Sequence, residues 1–509
     1  MTRHGRLTLL AVPALLLAGC GASPEGAQLV VTVVGEPGQG LARRLEAEAT
    51  RPGLVARDGS GQVVAGLASS WRFLDNGNSL ILRLRPVKWS DGRALTATDV
   101  VAALRRAAAR REPALGFAGI AGAPLPGRAG ISASGKAGVG KLGASAPISR
   151  VVELRLESTS PQMLGWLAEP GLGITRPGAR AATLAGYGAS GPANARLLTR
   201  RSDSAGPEAR PAAIRIATAD SRTAIAGFAR GDSDIVFGEG LAGLGEARTV
   251  ARADALRLDP AWGLYGYVAN SRKGPLAGAG VRRALAMAID RPRLVARFGI
   301  AAIAPADGLL PHDRSAMTAA GETPPADMTD WLSLNTAARR EAARRLLAAA
   351  GYSAERPLRL VVLLPPGRDH RNVADIVGND WRDIGVVLAA SEMSTSAIES
   401  RIARGTFDLA LTEAALPEPD PAAALARWRC RAGPHCNPAA DALLDAALVA
   451  PAAERSALLI RVEAEMLAGP PLIPLFTAIR WALVARNVDG WVPNRAASHP
   501  LARLAVVGK

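Results

Sequence analysis

Two stretches of the chain show the same order of apolar and polar positions. Residues 212–239 read AAIRIATADSRTAIAGFARGDSDIVFGE, and residues 384–413 read IGVVLAASEMSTSAIESRIARGTFDLALTE. Each begins with an apolar run typical of a strand and continues with a residue such as Asp220 or Ser394, which caps helix N-termini. Each predicted helix ends at Ala-Arg-Gly, where glycine favours the left-handed conformation, and a second apolar strand follows an aspartate. The pattern predicts two strand–helix–strand units.

This repetition favours an α/β chain with two lobes of like construction, although a chance likeness between two common supersecondary units gives the same pattern. The length of 509 residues also exceeds what one ordinary core accommodates. Ligands of open α/β sheets bind beyond the carboxyl ends of the strands. Glu239 and Glu413 occupy that end in their units. Each is predicted to meet a cationic group across an inter-lobe cleft, or else to lie solvated at a strand end.

The N-terminal segment has the order of an export signal. Two arginines precede an apolar run from Leu7 to Leu17, which is too short for a membrane span of about 20 residues. The run leads into Leu-Ala-Gly-Cys, which ends at Cys20 and resembles a bacterial lipobox. The resemblance implies a lipoprotein signal over residues 1–20, with lipid carried by the cysteine. The alternative is an ordinary export signal with a chance cysteine.

The charge and the aromatic content of the chain indicate which kinds of partner it binds. The formal net charge is +16, from 61 Lys and Arg against 45 Asp and Glu, while aromatic residues make up only 4%. A nucleic-acid-binding surface concentrates basic residues in a stripe and interleaves aromatics, whereas here the arginines are scattered. The composition therefore indicates an arginine-rich protein that does not bind nucleic acid. Attraction to an anionic surface or ligand is the alternative.

Two further cysteines lie close together. Cys430 and Cys436 enclose a Gly-Pro loop, and His435 lies between them. A short disulfide suits an oxidising compartment outside the cytoplasm. A structural zinc site normally has a second pair of ligands elsewhere, and no second cysteine pair exists in the sequence. A disulfide is the favoured prediction, with free thiols or a metal site as the alternatives.

The sequence contains no motif that supports catalysis. Gly-x-Ser-x-Gly is absent, and the five histidines are scattered, although a nucleophile and a base can still meet in space. The stretch SGKAGVGKLGAS, residues 134–145, resembles nucleotide-binding glycine loops. However, Leu142 stands where Ser or Thr would meet magnesium, and Pro147 ends any following helix. This stretch is predicted to be a loop, and no enzyme activity, cofactor or metal is expected.

Four stretches carry a resemblance to a known family. Residues 53–106 contain LASSW, DNG, WSDG and TATDV in that order, and residues 267–295 contain NSRKGP, VRRAL and AIDR. ARRLLAAAGY follows at 343–352, and PLIPLFTAIRWALVARNVDGWVPN at 471–494. In this order and spacing they closely resemble the family 5 extracellular solute-binding proteins, the peptide- and nickel-binding subunits of ABC importers.

The resemblance implies an α/β, two-lobed periplasmic-binding-protein-like fold of type II and of the large cluster C kind, with a hinge between the lobes. It places the first lobe at 21–262, with an inserted subdomain at about 51–184. The second lobe then spans 263–479, and 480–509 return to the first lobe. In such a clamp, ligand binds in the inter-lobe cleft. The closed lobes then dock a membrane permease, and an ATPase inside the cell powers import.

One position departs from the family pattern. Family peptide binders have an aspartate that meets the α-ammonium of the peptide, shortly before an Asp-Pro pair. Asp420 and Pro421 match that pair, but Pro417 occupies the position of the aspartate. A buried ammonium without an anion is costly, so peptide recognition requires a substitute carboxylate. The residues predicted to face the cleft as polar groups are Glu413, Glu418, Glu239 and Asn270.

The sequence thus predicts a monomeric, lipid-anchored protein outside the cytoplasm. Its predicted function is that of an ABC-importer subunit that captures peptides or related small solutes and delivers them to a permease. One alternative keeps the fold but not the transport, as a tethered sensor or chaperone-like module. A hydrolase is a third class, for which the sequence offers no nucleophile–base motif.

Overall fold

The computed structural model describes most of the chain. The described residues are 28–109, 117, 119–123, 142–157, 163–176, 186–201, 211–250, 252, 254–310, 331, 333–415, 420–430 and 433–507. Cys20, Pro417, Glu418 and most of the glycine-rich loop lie outside these ranges, so the predictions that concern them stay predictions.

Strands and helices alternate along the described residues. The strands are β1 (Gln28–Val34), β2 (Val55–Arg57), β3 (Val63–Ala65), β4 (Ala68–Leu74), β5 (Ser79–Leu84), β6 (Ala144–Ile148), β7 (Val151–Arg155), β8 (Tyr187–Ser190), β9 (Ala195–Arg200), β10 (Ala213–Ala219), β11 (Ile235–Glu239), β12 (Leu256–Ala269), β13 (Leu358–Leu364), β14 (Val386–Glu392), β15 (Leu409–Ala415), β16 (Leu472–Val484), β17 (Val488–Asp489) and β18 (Ala505–Val506). The helices are α1 (Gly40–Thr50), α2 (Ala97–Ala108), α3 (Met163–Leu167), α4 (Ser221–Arg230), α5 (Leu244–Val250), α6 (Ala279–Ala288), α7 (Arg291–Ala296), α8 (Thr336–Ala349), α9 (Arg368–Arg382), α10 (Thr395–Arg404), α11 (Pro421–Ala426), α12 (Pro438–Val449) and α13 (Ala452–Leu467).

The main sheet has ten strands in the order β14-β13-β15-β12-β16-β11-β1-β10-β9-β8. β1 pairs in parallel with β10 and β11, and these three strands are called the first parallel group. β13 pairs in parallel with β14 and β15, which makes the second parallel group. The long antiparallel strands β12 and β16 join the two groups. The sheet therefore contains two units of like construction with a shared middle.

The two predicted strand–helix–strand units form at the predicted places, as β10-α4-β11 and β14-α10-β15. Asp220 and Ser394 cap the two helices by accepting backbone N–H groups. Gly231 and Gly405 end the helices with φ values of 83° and 64°, in the left-handed region that glycine adopts without steric cost. Local residue chemistry therefore sets both the beginning and the end of each helix.

The aspartate after each helix binds the neighbouring parallel strand. Val30 N donates to Asp234 Oδ2 at 2.9 Å in the first parallel group. Val361 N donates to Asp408 Oδ2 at 3.0 Å in the second. The same side chain thus makes the same bond in both groups, which extends the likeness of the two units from secondary structure to individual contacts.

A smaller antiparallel sheet, β4-β5-β7-β6, forms the small subdomain together with α2 and α3. Thr96 and Asp99 make a reciprocal capping box at the start of α2. Apolar residues such as Leu82 and Val100 build a core that is separate from the main sheet. An ion pair of 3.6 Å between Arg44 of α1 and Glu169 links this subdomain to the first parallel group.

The middle strands change register where they pass from one parallel group to the other. The pairing of β12 with β16 is irregular between Pro260 and Leu264. On one side of this irregularity β16 pairs with β11, and on the other side β12 pairs with β15. A break in strand pairing is a natural place for a bend, because fewer backbone hydrogen bonds oppose it. The predicted lobe boundaries at residues 262 and 479 lie here and stay a prediction.

Arg282 of α6 lies in the interior, although Val281 and Leu285 mark the apolar face of this helix and Arg282 lies off that face in sequence. It is 5% exposed, and its guanidinium donates to the carbonyls of Leu276, Ala277, Gly469 and Pro470. Burial lowers its pKa to about 10. The side chain joins α6 to the segment before β16, a role that helical periodicity does not indicate.

None of the helices in the described part of the chain combines the length and apolar character that a membrane span requires.

Candidate ligand-binding site

Glu239 lies at the carboxyl end of β11, where it meets an arginine from the middle of the sheet. It pairs in register with Arg480 of β16, and the Arg480 Nε lies 3.3 Å from Glu239 Oε1. The Glu239 side chain is 42% exposed, whereas that of Arg480 is 10% exposed. The ion pair therefore has a buried cation and a carboxylate that faces solvent.

Glu413 lies at the corresponding end of β15, opposite Tyr265 of β12. The Leu241 backbone N–H donates to its carboxylate, but Oε1 is buried and accepts no hydrogen bond from the described residues. Burial and, secondly, the charge of Glu239 raise the pKa of Glu413 to about 8. The structure thus brings together the two glutamates that the sequence placed at equivalent strand ends.

Gly240 is required for this close approach. Its φ is 64°, which residues with a side chain rarely adopt. A Cβ added at this position would overlap the Glu413 carboxylate. The glycine therefore lets the loop after β11 lie directly against the acid group of β15.

The cluster of Glu239, Glu413 and Arg480 has one cation for two acids. Burial lowers the pKa of Arg480, and the neighbouring Glu239 opposes that shift. The nearby Arg44 and Glu169 already pair with each other. With both glutamates ionised, the cluster would carry one negative charge, a charge that is costly to bury without a counter-ion.

An aromatic wall lies beside Glu413. The Tyr265 hydroxyl and His370 Nδ1 lie 2.9 Å apart, and the Tyr265 ring stacks on Phe476 with centroids 4.4 Å apart. Burial lowers the pKa of His370 to about 4, so the imidazole is neutral near pH 7. This wall supplies shape and a polar edge but no positive charge to balance Glu413.

A cavity of about 480 Å³ begins at Leu241, the residue that binds Glu413. Its walls come from α5, from the segment after α7 and from α9. The side chains that line it include Arg248, Arg297, Arg368, Phe298, Asp369 and Asp375. The Gly245 backbone N–H donates to the Asp369 carboxylate across the boundary between the groups. The lining of the cavity therefore includes three arginines and two aspartates, and Leu241 connects the cavity with Glu413.

The structure does not bring Asn270 together with the two glutamates. It follows the opposite end of β12, is 4% exposed, and donates from Nδ2 to Gly405 O at 3.1 Å and Phe407 O at 2.9 Å. Its amide therefore fastens β12 to the turn before β15.

Cys430 and Cys436 are joined by a disulfide bond, with Cα atoms 3.9 Å apart. The loop packs on the segment after β12, where Ser271 Oγ donates to Pro434 O at 3.0 Å. His435 Nδ1 lies 3.1 Å from the same hydroxyl. Among the residues that the structure describes, no group of His, Cys, Asp and Glu is arranged to hold a metal ion.

Sequence reasoning missed the basic residues of the site. Arg480 lies in an apolar strand without a motif, and only the strand register reveals its pairing with Glu239. Arg248, Arg297 and Arg368 come from three separate segments. Scattered arginines of this kind carry no signal in one sequence, because their meeting depends on the packing of distant helices.

The fold and the site define a class, a two-lobed α/β solute-binding protein with its site between two parallel strand groups. The chain belongs to the bacterial extracellular solute-binding proteins, family 5, because the family profile, described as "family 5 Middle", matches residues 62–434.

The relatives include two Escherichia coli proteins. One is the probable deoxycholate-binding periplasmic protein YgiS, 28% identical over 458 residues, which covers 83% of this chain and 82% of YgiS. The other is the periplasmic oligopeptide-binding protein OppA, 25% identical over 475 residues, or 88% and 84% of the two chains. Haemophilus influenzae OppA, solved in complex with RPPGFSPFR, has a TM-score of 0.79 at 19% identity, over 96% of this chain and 100% of that one.

These comparisons confirm three sequence-based predictions. The family and the two-lobed α/β fold are those expected. The predicted function, that of a solute-binding protein of this family, is also confirmed. The comparisons favour it over the alternative of a tethered sensor or chaperone-like module without transport. The family members are binding proteins rather than enzymes.

Proposed function

We propose that this protein captures short peptides for an ABC importer and holds the α-ammonium of the peptide at Glu413. The observation that carries the proposal is the buried, unpartnered Oε1 of Glu413 beside the Glu239–Arg480 ion pair. A ligand cation at this point would balance the second carboxylate. It would replace the anion that Pro417 removes from the usual family position.

The cavity next to Glu413 suits the other end of such a ligand. Its volume of about 480 Å³ lies within the range of small-ligand sites, roughly 300–1,000 Å³. Arg248, Arg297 and Arg368 offer planar donors that match a carboxylate. Asp369 accepts the Gly245 N–H and interacts with Arg368, so Arg248 and Arg297 are the arginines farther from that competition. The site therefore favours a dipolar solute, with its cation at Glu413 and its anion in the cavity.

Glu413 also distinguishes between the ligands named for the relatives. OppA is named as an oligopeptide-binding protein, and YgiS as probably deoxycholate-binding. Deoxycholate carries an anion but no cation, so it offers nothing with which an ionised Glu413 could pair. A peptide with a free N-terminus supplies both charges. The charge pattern of this chain therefore supports peptides as the ligand class.

The remaining parts of the proposal concern the cellular setting. Residues 1–20 act as a lipoprotein signal, and Cys20 carries the lipid that holds a monomeric protein to the membrane surface. The lobes, divided near residues 262 and 479, close on the peptide and dock a permease that a cytoplasmic ATPase drives. Glu418 is proposed as a second carboxylate near the ligand.

The test is the affinity of the wild-type protein and of Glu413→Gln for trialanine and for deoxycholate. We expect trialanine to bind, and we expect Glu413→Gln to weaken that binding at least about tenfold because it removes the anion. The control is Glu399→Gln, which changes an exposed glutamate of α10. Tighter binding of deoxycholate than of any peptide tested, unaffected by Glu413→Gln, would overturn the proposal.

A further inference from the structure

One hydrogen bond joins the small subdomain to the second parallel group. Trp166 of α3 is 7% exposed, and its Nε1 donates to Asp420 Oδ2 at 3.0 Å. These residues are 254 positions apart in the sequence, so the contact depends on how the two parts of the molecule are placed. The bond therefore forms only when the two parts of the molecule are placed as described, and neither part can form it alone.

Trp166 belongs to the side of the molecule that includes the first parallel group. Its neighbours Met163 and Leu167 are buried in the core of the small subdomain. Gly165 O accepts a hydrogen bond from Arg57 of β2 at 3.4 Å. Because Arg44 of α1 pairs with Glu169, this helix is also tied to the first parallel group. The indole is thus presented from a fixed position.

Asp420 belongs to the other side. Its Oδ1 accepts the backbone N–H of Ala422 at 2.9 Å, at the start of α11. Ala422 and Leu425 of this helix are buried in a core that packs against β12 and β15. One carboxylate oxygen therefore fixes the side chain to its own helix, while the other oxygen receives the indole from across the boundary.

We infer that the Trp166–Asp420 hydrogen bond is a latch that stabilises the closed arrangement of the lobes, so that these two residues position the site for ligand capture. The inference rests on the proposed function as a solute-capturing clamp. A contact made only when the lobes are closed shifts the equilibrium toward closure by its own free energy. A hydrogen bond to a carboxylate oxygen is among the stronger ones in proteins, and its loss changes such an equilibrium by roughly tenfold.

The latch should act on ligand release more than on ligand encounter. The open clamp meets the ligand before the bond forms, so the association rate depends little on it. Dissociation requires the lobes to reopen, and the bond must then break. Removal of the latch is therefore expected to raise the dissociation rate roughly tenfold and to leave the association rate within about twofold.

The experiment measures the distance between the lobes by pulsed electron–electron double resonance in the ligand-free protein. Spin labels are attached through Arg72→Cys and Glu399→Cys, two exposed positions on opposite sides of the boundary. Trp166→Phe keeps the ring but removes the N–H donor, and Asp420→Asn keeps the helix-capping oxygen. We expect both variants to move the distribution toward longer distances. We expect the double variant to add nothing, because either change alone breaks the same bond.

The matched control is Trp381→Phe. Trp381 Nε1 donates to Leu285 O at 3.0 Å within the second parallel group and its helices, so its loss should lower stability without changing the distances between labels. Distances unchanged in both latch variants, or effects of the two that simply add, would overturn the inference. The distances are measured without ligand, so they stand even if the protein proves not to bind peptides. If Trp166→Phe fails to fold, Asp420→Asn still decides the question.

Discussion

At the scale of single residues, the closeness of the Glu413 and Glu239 carboxylates determines the charge of the site. Two carboxylates approach each other because Gly240 leaves room for them, and Arg480 balances only one. The protein therefore holds Glu413 in its protonated form when no ligand is bound. A ligand cation would favour the ionised form, so ligand binding and proton release are coupled through this one group.

The first prediction concerns stability and pH. The pKa of Glu413 is raised from 4.5 to about 8 by burial and by Glu239, with Leu241 N–H and Arg480 opposing the shift. Between these two values the folded protein keeps a proton that the unfolded chain releases. Stability therefore falls as the pH rises through this window and becomes level above it.

Glu413→Gln removes this loss. We expect urea unfolding to show that the ligand-free variant gains stability over the wild type as the pH rises from about 5 to 8, by on the order of 3 kcal/mol. The exposed change Glu399→Gln is the control and should follow the wild-type curve. Parallel curves for wild type and Glu413→Gln across this range would mean that the carboxyl group is not held protonated.

At the scale of elements, the disulfide loop supports the helix that carries Asp420. The loop between Cys430 and Cys436 follows α11 closely in the chain. It binds the segment after β12, since Arg272 Nη2 donates to Cys430 O at 2.6 Å. The loop therefore links the chain just after α11 to the segment after β12. This link helps to hold Asp420, at the start of α11, in place relative to the main sheet.

A second prediction follows for the double change of Cys430→Ser with Cys436→Ser. A cross-link across so short a loop is expected to contribute about 2 kcal/mol by restricting the unfolded chain. Urea unfolding should show a loss of about this size, and a reductant should lower the wild type to the level of the variant. A wild-type protein whose unfolding midpoint does not respond to reductant would contradict this expectation.

The element scale also shows where sequence reasoning succeeds. The units around α4 and α10 were predictable because capping residues and Gly231 and Gly405 act within a few positions of the helix. The burial of Arg282 was not predictable, since its carbonyl partners include Gly469, far along the chain. A charged residue in an amphipathic pattern is normally assigned to the surface, and only tertiary contacts reverse that assignment.

At the scale of the whole molecule, two parallel groups share one sheet and place the carboxyl ends of β11 and β15 together. The likeness of the two units made Glu239 and Glu413 identifiable as equivalent positions in the sequence. Their meeting with Arg480, and the convergence of three arginines in one cavity, required the strand order and the helix packing. The family motifs indicated the architecture, whereas the charge pattern of the site required the three-dimensional structure.

The irregular pairing at Pro260–Leu264 is the part of the sheet around which the two groups are expected to move. We expect closure about this point to bring the Glu413 cluster, the cavity and the Trp166–Asp420 bond into their described positions. If so, the charge of the ligand and the closure of the lobes are linked, because both depend on contacts at the boundary between the two parallel groups. We propose that this boundary recognises the free ammonium of a peptide at Glu413.

The most direct test is isothermal titration calorimetry at pH 7 with trialanine and with N-acetyl-trialanine, in two buffers of different ionisation enthalpy. The two ligands differ only at the N-terminus, so any difference in affinity reports on recognition of the ammonium. We expect acetylation to weaken binding at least about tenfold, and we expect the free peptide alone to release close to one proton. Equal affinities for the two peptides, without proton release, would contradict the assignment of Glu413 as the ammonium site.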